Sequence, residues 1–280
     1  MSSSSPKTRI TTPLGTYLRW LLLVLILGAG SYGLFRWRKD APPPARRIKT
    51  TETPVTGQIA LIIDDNGYSQ ESCRQLRSIP QPLTVSILPD LPYSRSVDDC
   101  AHRHHKGIML HLPMEPHVWH ETYGANYVVT SDMTPSAIRA LIDSALQSVP
   151  HAQGVNNHMG SKATEDKKIM QIVLHELQER DLFFIDSRVT LQSVAPGLAR
   201  EMGIPCAERD VFLDNEADRD YIIGQMNDLA REAREKGVAI GIGHARPLTW
   251  SVIREQAPLL VQEGFRFVTV KELWEHPSLP

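Results

Sequence analysis

Ile59-Ala60-Leu61-Ile62-Ile63-Asp64-Asp65-Asn66-Gly67 is the stretch that decides how the rest of the chain is read. Five apolar residues, rich in β-branched side chains, run straight into two adjacent aspartates and an Asn-Gly turn signal. A continuous apolar run this short reads as a strand buried on both faces, as in a parallel sheet covered by helices. The carboxylates then fall at its C-terminal end, where open α/β sheets and α/β barrels place their active sites. Two adjacent like charges are mutually unfavourable unless a cation compensates them, and a metal ion would do so. The competing reading is an Asx-rich turn that only closes the strand.

Outward from this strand, short apolar runs alternate with amphipathic segments. Strands are expected at residues 83–88, 107–112, 182–187, 211–214, 238–244 and 265–270, with helices between them. Thr134-Pro135 opens one helix, Thr as the N-cap and Pro at the first helical position. Gly237 closes another. Seven or eight strands alternating with helices over 223 residues indicate an α/β barrel or barrel-like sheet.

The N-terminus is different in kind. Residues 20–35 form an uncharged, mostly aliphatic run flanked by Arg19 and by Arg36, Arg38 and Lys39. This reads as a short membrane anchor, with a cleaved signal peptide as the alternative. Residues 1–39 are accordingly the basic tail and anchor, 40–57 a Pro-rich linker, and 58–280 the folded domain. Residues 1–57 carry a net charge of +7 and the remainder −9. An acidic domain excludes the phosphate-neutralising surface that nucleic-acid binding needs. The flanking charges alone would keep the domain in the cytoplasm, but long domains translocate regardless of such charge. Three cysteines, Cys73, Cys100 and Cys206, permit one internal disulfide and show no metal-site spacing.

Strand after strand ends in a group able to bind metal or move protons: Asp64 and Asp65, His111, His158, Asp186 and His244. In a parallel α/β fold these tips converge on one face. Two imidazoles and a carboxylate with open positions form a recurrent site for catalytic Zn²⁺ or another divalent ion. Glu115, Asp214 and Arg188 lie close enough in sequence to reach the same face.

The Asp64-Asp65 strand, Leu110-His111-Leu112-Pro113-Met114-Glu115-Pro116 and Gly154-Val155-Asn156-Asn157-His158-Met159-Gly160-Ser161 together resemble the divergent polysaccharide deacetylase family. Phe184-Ile185-Asp186-Ser187-Arg188 and Gly241-Ile242-Gly243-His244 resemble it too. The resemblance spans residues 57–280. It implies a distorted seven-stranded (β/α) barrel related to carbohydrate esterase family 4, and a divalent metal, zinc first among candidates. It implies removal of acetyl groups from an envelope sugar polymer by an inner-membrane-anchored domain facing the periplasm. On this likeness Asp64 is the general base and Asp65, His111 and His158 are metal ligands. His244 is the general acid, and Glu115, Asn157, Asp186, Arg188 and Asp214 are supporting or substrate-contacting residues.

Three departures qualify the likeness. Asn66 stands between the aspartates and Gly67, while Glu115 and Lys162 occupy the positions four residues after His111 and His158. No Arg-Pro-Tyr segment is present to support the base. These departures also fit a second functional class, a non-catalytic, metal-stabilised carbohydrate-binding or envelope-organising protein on the same fold.

Overall fold

The computed structural model describes residues 21–27, 55–119 and 127–275. Residues 21–27 are helical with every side chain exposed. The rest of the expected anchor and most of the 40–57 linker lie outside the described residues. Among the described residues, no helix is long and apolar enough to cross a membrane.

Chain elements of the folded domain alternate as expected. They are β1 (Gly57–Asn66), α1 (Glu71–Ser78), β2 (Thr84–Ile87), α2 (Ser94–Arg103), β3 (Gly107–Met114), α3 (Pro135–Ser148), β4 (Gly154–Met159), α4 (Lys167–Gln178) and β5 (Phe183–Asp186). Then come α5 (Ala195–Met202), β6 (Cys206–Glu208), β7 (Val211–Phe212), α6 (Arg219–Lys236), β8 (Val238–His244), α7 (Pro247–Gln262), β9 (Phe265–Val268) and α8 (Glu272–Glu275). Thr134 Oγ1 accepts from the Ala137 amide and so caps α3. Gly237, at φ 83°, ends α6 in a left-handed conformation that glycine adopts without a Cβ clash. Cys73 on α1 and Cys100 on α2 form a disulfide, and Cys206 is free.

All paired strands run parallel, in the order β6-β5-β4-β3-β2-β1-β8-β7. The two ends of this path, β6 and β7, are consecutive in the chain and are joined by Arg209-Asp210 alone. A sheet whose edges are two residues apart must curl round on itself. β9 pairs with the first half of β1, Gly57 to Ala60, on the side where β2 pairs with the second half.

The seven or eight strands expected from the residues, and the seven implied by the family likeness, are corrected to nine among the described residues. β6 is short and partly polar, so it has no apolar run to announce it. The expected strand at 211–214 shrinks to two residues.

Alternation along the strands divides the core in two. Ala60, Ile62, Met109, Phe183, Ile185, Ile240 and Ile242 fill the small interior of the curl. Ile59, Leu61, Ile63, Leu110, Val155 and Phe184 face the surrounding helices. Gly154 admits the Phe183 ring to that interior, since a Cβ there would sit 2.2 Å from it. Continuing the inward parity one step past Ile62, Met109, Ile185 and Ile242 reaches Asp64, His111, Ser187 and His244, a polar cap over the apolar interior.

Candidate metal and acid–base site

Adjacent residues of a regular strand point to opposite faces, so Asp64 and Asp65 should diverge. They do not, because β1 is bulged there. Ile63 pairs with Val85 and Asn66 with Ile87, three residues of β1 against two of β2. Asp65 takes up the extra residue at φ 59°, a left-handed conformation that aspartate tolerates better than most side chains. Asn66 braces the bulge by donating to the Ile63 and Ser86 carbonyls at 2.6 and 3.2 Å. Met159 and Arg188, at the tips of β4 and β5, are left-handed as well, with φ 55° and 50°. Among the described residues, Asp90, His105 and Asp181 share this conformation away from the strand tips, and at the tips it aims side chains against local preference.

Three of these side chains form a compact triangle. Asp65 Oδ1 lies 3.4 Å from His111 Nε2 and 3.2 Å from His158 Nδ1, and the two nitrogens are 3.1 Å apart. A tetrahedral ion with bonds of ~2.0–2.2 Å separates its ligand atoms by roughly 3.3–3.5 Å. Asp65 Oδ1 is buried and accepts no hydrogen bond. A buried acceptor without a donor is costly unless something else satisfies it. Donor types, spacing and this orphaned oxygen all fit a divalent cation such as Zn²⁺ held by three protein ligands.

Two further groups flank the triangle. Asp64 is buried, with Oδ2 3.7 Å from His111 Nε2 and Oδ1 accepting from Asn156 Nδ2 at 2.9 Å. On the other side His244 Nε2 stands 3.8 Å from Asp65 Oδ2. Its Nδ1 bonds Asp214 Oδ1 at 2.9 Å, and its backbone amide donates to Asp214 Oδ2 at 3.0 Å. Thr249 Oγ1 donates to the same oxygen at 2.6 Å. Asp65, Tyr68, Ser69, Ser72, His244, Ala245 and Arg246 line a cavity of about 220 Å³ that opens onto this cluster. Larger cavities, about 270 and 380 Å³, lie near the strand beginnings around Phe183 and Gly107, so chemistry rather than size marks the site.

The electrostatics separate the two aspartates. Burial would raise the Asp65 carboxyl, but the imidazoles of His111 and His158 outweigh it and hold the group well below the usual carboxylate range. Burial dominates at Asp64 and raises its pKa in spite of His111, His244 and Asn156. His111 is raised because Asp64 and Asp65 overcome its burial. Burial lowers His158, and the neighbouring His111 adds to this while Asp65 opposes it. Burial also works against the protonated form of His244, yet Asp214 and Asp65 raise it.

Of the expected supporting residues, Asp214 joins the site, as the partner of His244. Glu115 does not. Its oxygens accept from Lys162 Nζ at 2.7 Å and from the Ser131 amide at 2.6 Å, so it clamps the loops after β3 and β4. The two positions that depart from the family pattern, four residues after each ligand histidine, are thus paired with each other.

Asp186 shares parity with Phe184, away from the interior, and accepts from the Arg188 amide at 2.8 Å. Arg188 pairs at 3.4 Å with Glu208. Asn157 likewise faces away from the cluster, accepting from the Ser187 amide and donating to the Met159 carbonyl. Its neighbour Asn156 is the site residue, because it shares a strand face with His158. Arg209 donates to the Ser187 and Arg188 carbonyls, and burial lowers its pKa, helped by Arg188 and opposed by Asp186 and Asp64. Period-two counting back from His158 would have found Asn156. No local signal marks Arg209.

The sequence profile of the divergent polysaccharide deacetylase family matches residues 61–274. An uncharacterised protein of Haemophilus influenzae is 34% identical over 235 residues, covering 83% of this chain and 82% of its own. Among solved structures, the uncharacterised protein ATU2773 of Agrobacterium tumefaciens aligns with a TM-score of 0.74 at 23% identity, over 78% of this chain and 89% of that one. A family 4 carbohydrate esterase from Streptomyces lividans, in complex with acetate, aligns at 0.51 and 13% identity, over 76% and 92% of the two chains. These structural likenesses support the fold.

Proposed function

The chain belongs to the divergent polysaccharide deacetylase family, and on that premise we propose that its folded domain is a metal-dependent hydrolase that removes acetyl groups from an envelope sugar polymer. The observation that carries the reading is the ligand triangle of Asp65, His111 and His158, with a buried carboxyl on one side and a carboxylate-backed imidazole on the other. A divalent ion held there would acidify water and polarise the acyl oxygen of the substrate.

The chain's own groups then divide the proton work. Asp64 takes a proton from the attacking water, a role suited to a carboxyl whose burial raises its proton affinity. As water oxygen bonds to the acyl carbon and the C–N bond breaks, His244 Nε2 gives a proton to the leaving nitrogen. Asp214 holds the Nδ1 proton of His244 throughout, which keeps the ring oriented and stabilises its protonated form. Products are acetate and a free amine on the sugar. The Streptomyces lividans esterase of the same fold holds acetate in its solved structure.

We place the domain on the outer face of the inner membrane, anchored by residues 20–35. A Cys73–Cys100 disulfide supports an oxidising compartment. A reporter fused to the C-terminus, active outside the cytoplasm, is the expected result. The activity is tested on the full-length protein with Zn²⁺ or Co²⁺, by quantifying acetate released from acetylated chitooligosaccharides and peptidoglycan fragments. Metal-dependent release that Asp64→Asn abolishes is expected. Metal-dependent glycan binding without acetate from any substrate would make this a binding protein instead.

A further inference from the structure

Asn156 lies beneath both halves of the site and is wholly buried. Its Oδ1 faces His111 Nδ1 at 2.8 Å and also accepts from the Ser86 hydroxyl. Its Nδ2 donates to Asp64 Oδ1 at 2.9 Å and to Ser187 Oγ at 3.3 Å. The orientation follows from the partners. An amide oxygen only accepts, so it belongs beside the hydroxyl and the imidazole, and the amide NH₂ only donates, so it belongs beside the carboxylate.

We propose that Asn156 is a positioning residue with two separable tasks: its carbonyl fixes the His111 ring for metal ligation, and its NH₂ aims the Asp64 carboxyl. Accepting from Nδ1–H makes Nε2 the lone-pair nitrogen of neutral His111, and Nε2 is the atom in the triangle with Asp65 and His158. Tying down Asp64 Oδ1 leaves Oδ2 turned toward His111 and the centre. Metal-bound histidines ordinarily give their second N–H to such a partner, and losing it costs ~10–100-fold in metal affinity or activity. Here one amide serves ligand and base at once, so their relative placement is set by a single rigid group. The metal half rests on the triangle alone, while the base half rests on the hydrolase reading above.

Two substitutions in the full-length protein separate the tasks. Asn156→Asp keeps an acceptor for His111 and Ser86 but presents no donor to Asp64. Asn156→Leu, similar in volume, removes both. Zn²⁺ affinity by calorimetry, the hydrogen-bonded imidazole N–H of His111 in the NMR spectrum of the zinc-loaded protein, and kcat against KM for acetate release are measured on each. Asn156→Asp is expected to keep the imidazole N–H signal and metal affinity within a few-fold of wild type, while kcat falls at least ~10-fold with KM little changed. Asn156→Leu is expected to lose the signal and bind Zn²⁺ ~10–100-fold more weakly.

Parallel loss of affinity, signal and kcat in Asn156→Asp, with a matching drop in thermal stability, would reduce Asn156 to a structural residue and overturn the proposal. So would an unchanged N–H signal in a folded Asn156→Leu. If Asn156→Leu does not fold, Asn156→Asp decides alone. A wild-type protein that binds Zn²⁺ but releases no acetate contradicts the hydrolase reading, and the signal and affinity measurements still decide the metal half.

Discussion

Among the described residues, two clusters with the composition of a metal site bring histidine and aspartate together, and they differ in what is left over. Between α2 and the turn before β4, Asp98 is fully buried and spent on His151. One oxygen takes the His151 Nδ1 proton at 2.6 Å and the other takes its backbone N–H at 3.2 Å. His102 stacks on the His151 ring at 3.8 Å between centroids, so this cluster is closed by its own contacts. At the strand tips, Asp65 Oδ1 faces two imidazoles and accepts a hydrogen bond from neither. Both clusters have the composition of a metal site. Only the second keeps a buried acceptor unsatisfied and a cavity in front of it. Unspent acceptor capacity, more than residue type, distinguishes a site from a brace.

The sharpest break in that contrast comes from the carboxylates. Asp65→Ala should abolish metal-dependent acetate release, and metal affinity should fall by more than the ~10–100-fold typical of losing a residue behind a ligand. Asp64→Asn should leave metal binding within a few-fold while lowering kcat by ~10²–10⁴, the usual worth of a general base. Calorimetry and kinetics on the same preparations separate the two. On the closed side, Asp98→Ala should change neither metal stoichiometry nor kcat. It should lower stability by about 1–3 kcal/mol, read from denaturant unfolding, because it removes the acceptor of two His151 donors.

A smaller effect tests His244. Its pKa is raised against the opposing pull of burial, first through its bond to Asp214. Asp214→Asn should therefore let His244 lose its proton at lower pH, and the alkaline limb of the pH–rate profile should move down. The sign also holds for stability. The His244 contribution is lost as pH rises through its folded value. The Asp214 contribution, whose pKa is lowered, is lost as pH falls through its own. Smallest of all, burial followed by Asp186 and Glu208 pushes the Cys206 thiol up to about 12. Thiol reagents at neutral pH should leave it unlabelled in the native protein, as mass spectrometry would show.

The same contrast explains what the sequence made legible. The β8 run Val238–His244 and the capped start of α3 follow from apolar runs and end signals, and the structure keeps both. His111, His158 and Asp65 are recognisable because each lies in the C-terminal half of a strand, and parallel strands gather those ends on one face. What period-two alternation does not convey is the bulge that turns Asp64 and Asp65 to one side, because an inserted residue leaves no compositional trace. Asn157 stood in for Asn156 because both lie in one motif, although alternation from His158 favours the latter. The spacing of Glu115 after His111 predicts that it reaches the site. Its partner Lys162, 47 residues later, becomes visible only once β3 and β4 pair. The Arg209-Asp210 link between the sheet's two edges has no apolar signal at all, being two charged residues held by hydrogen bonds to Asp186, Ser187, Arg188, Lys236 and Ile240.

The most direct test of the metal centre exchanges the two clusters in one experiment. Equilibrium binding of Zn²⁺ to the full-length protein is measured for wild type, His158→Ala and His151→Ala. One tight site per chain is predicted, lost in His158→Ala and kept in His151→Ala. Tight binding that survives His158→Ala, or that disappears with His151→Ala, would contradict the account.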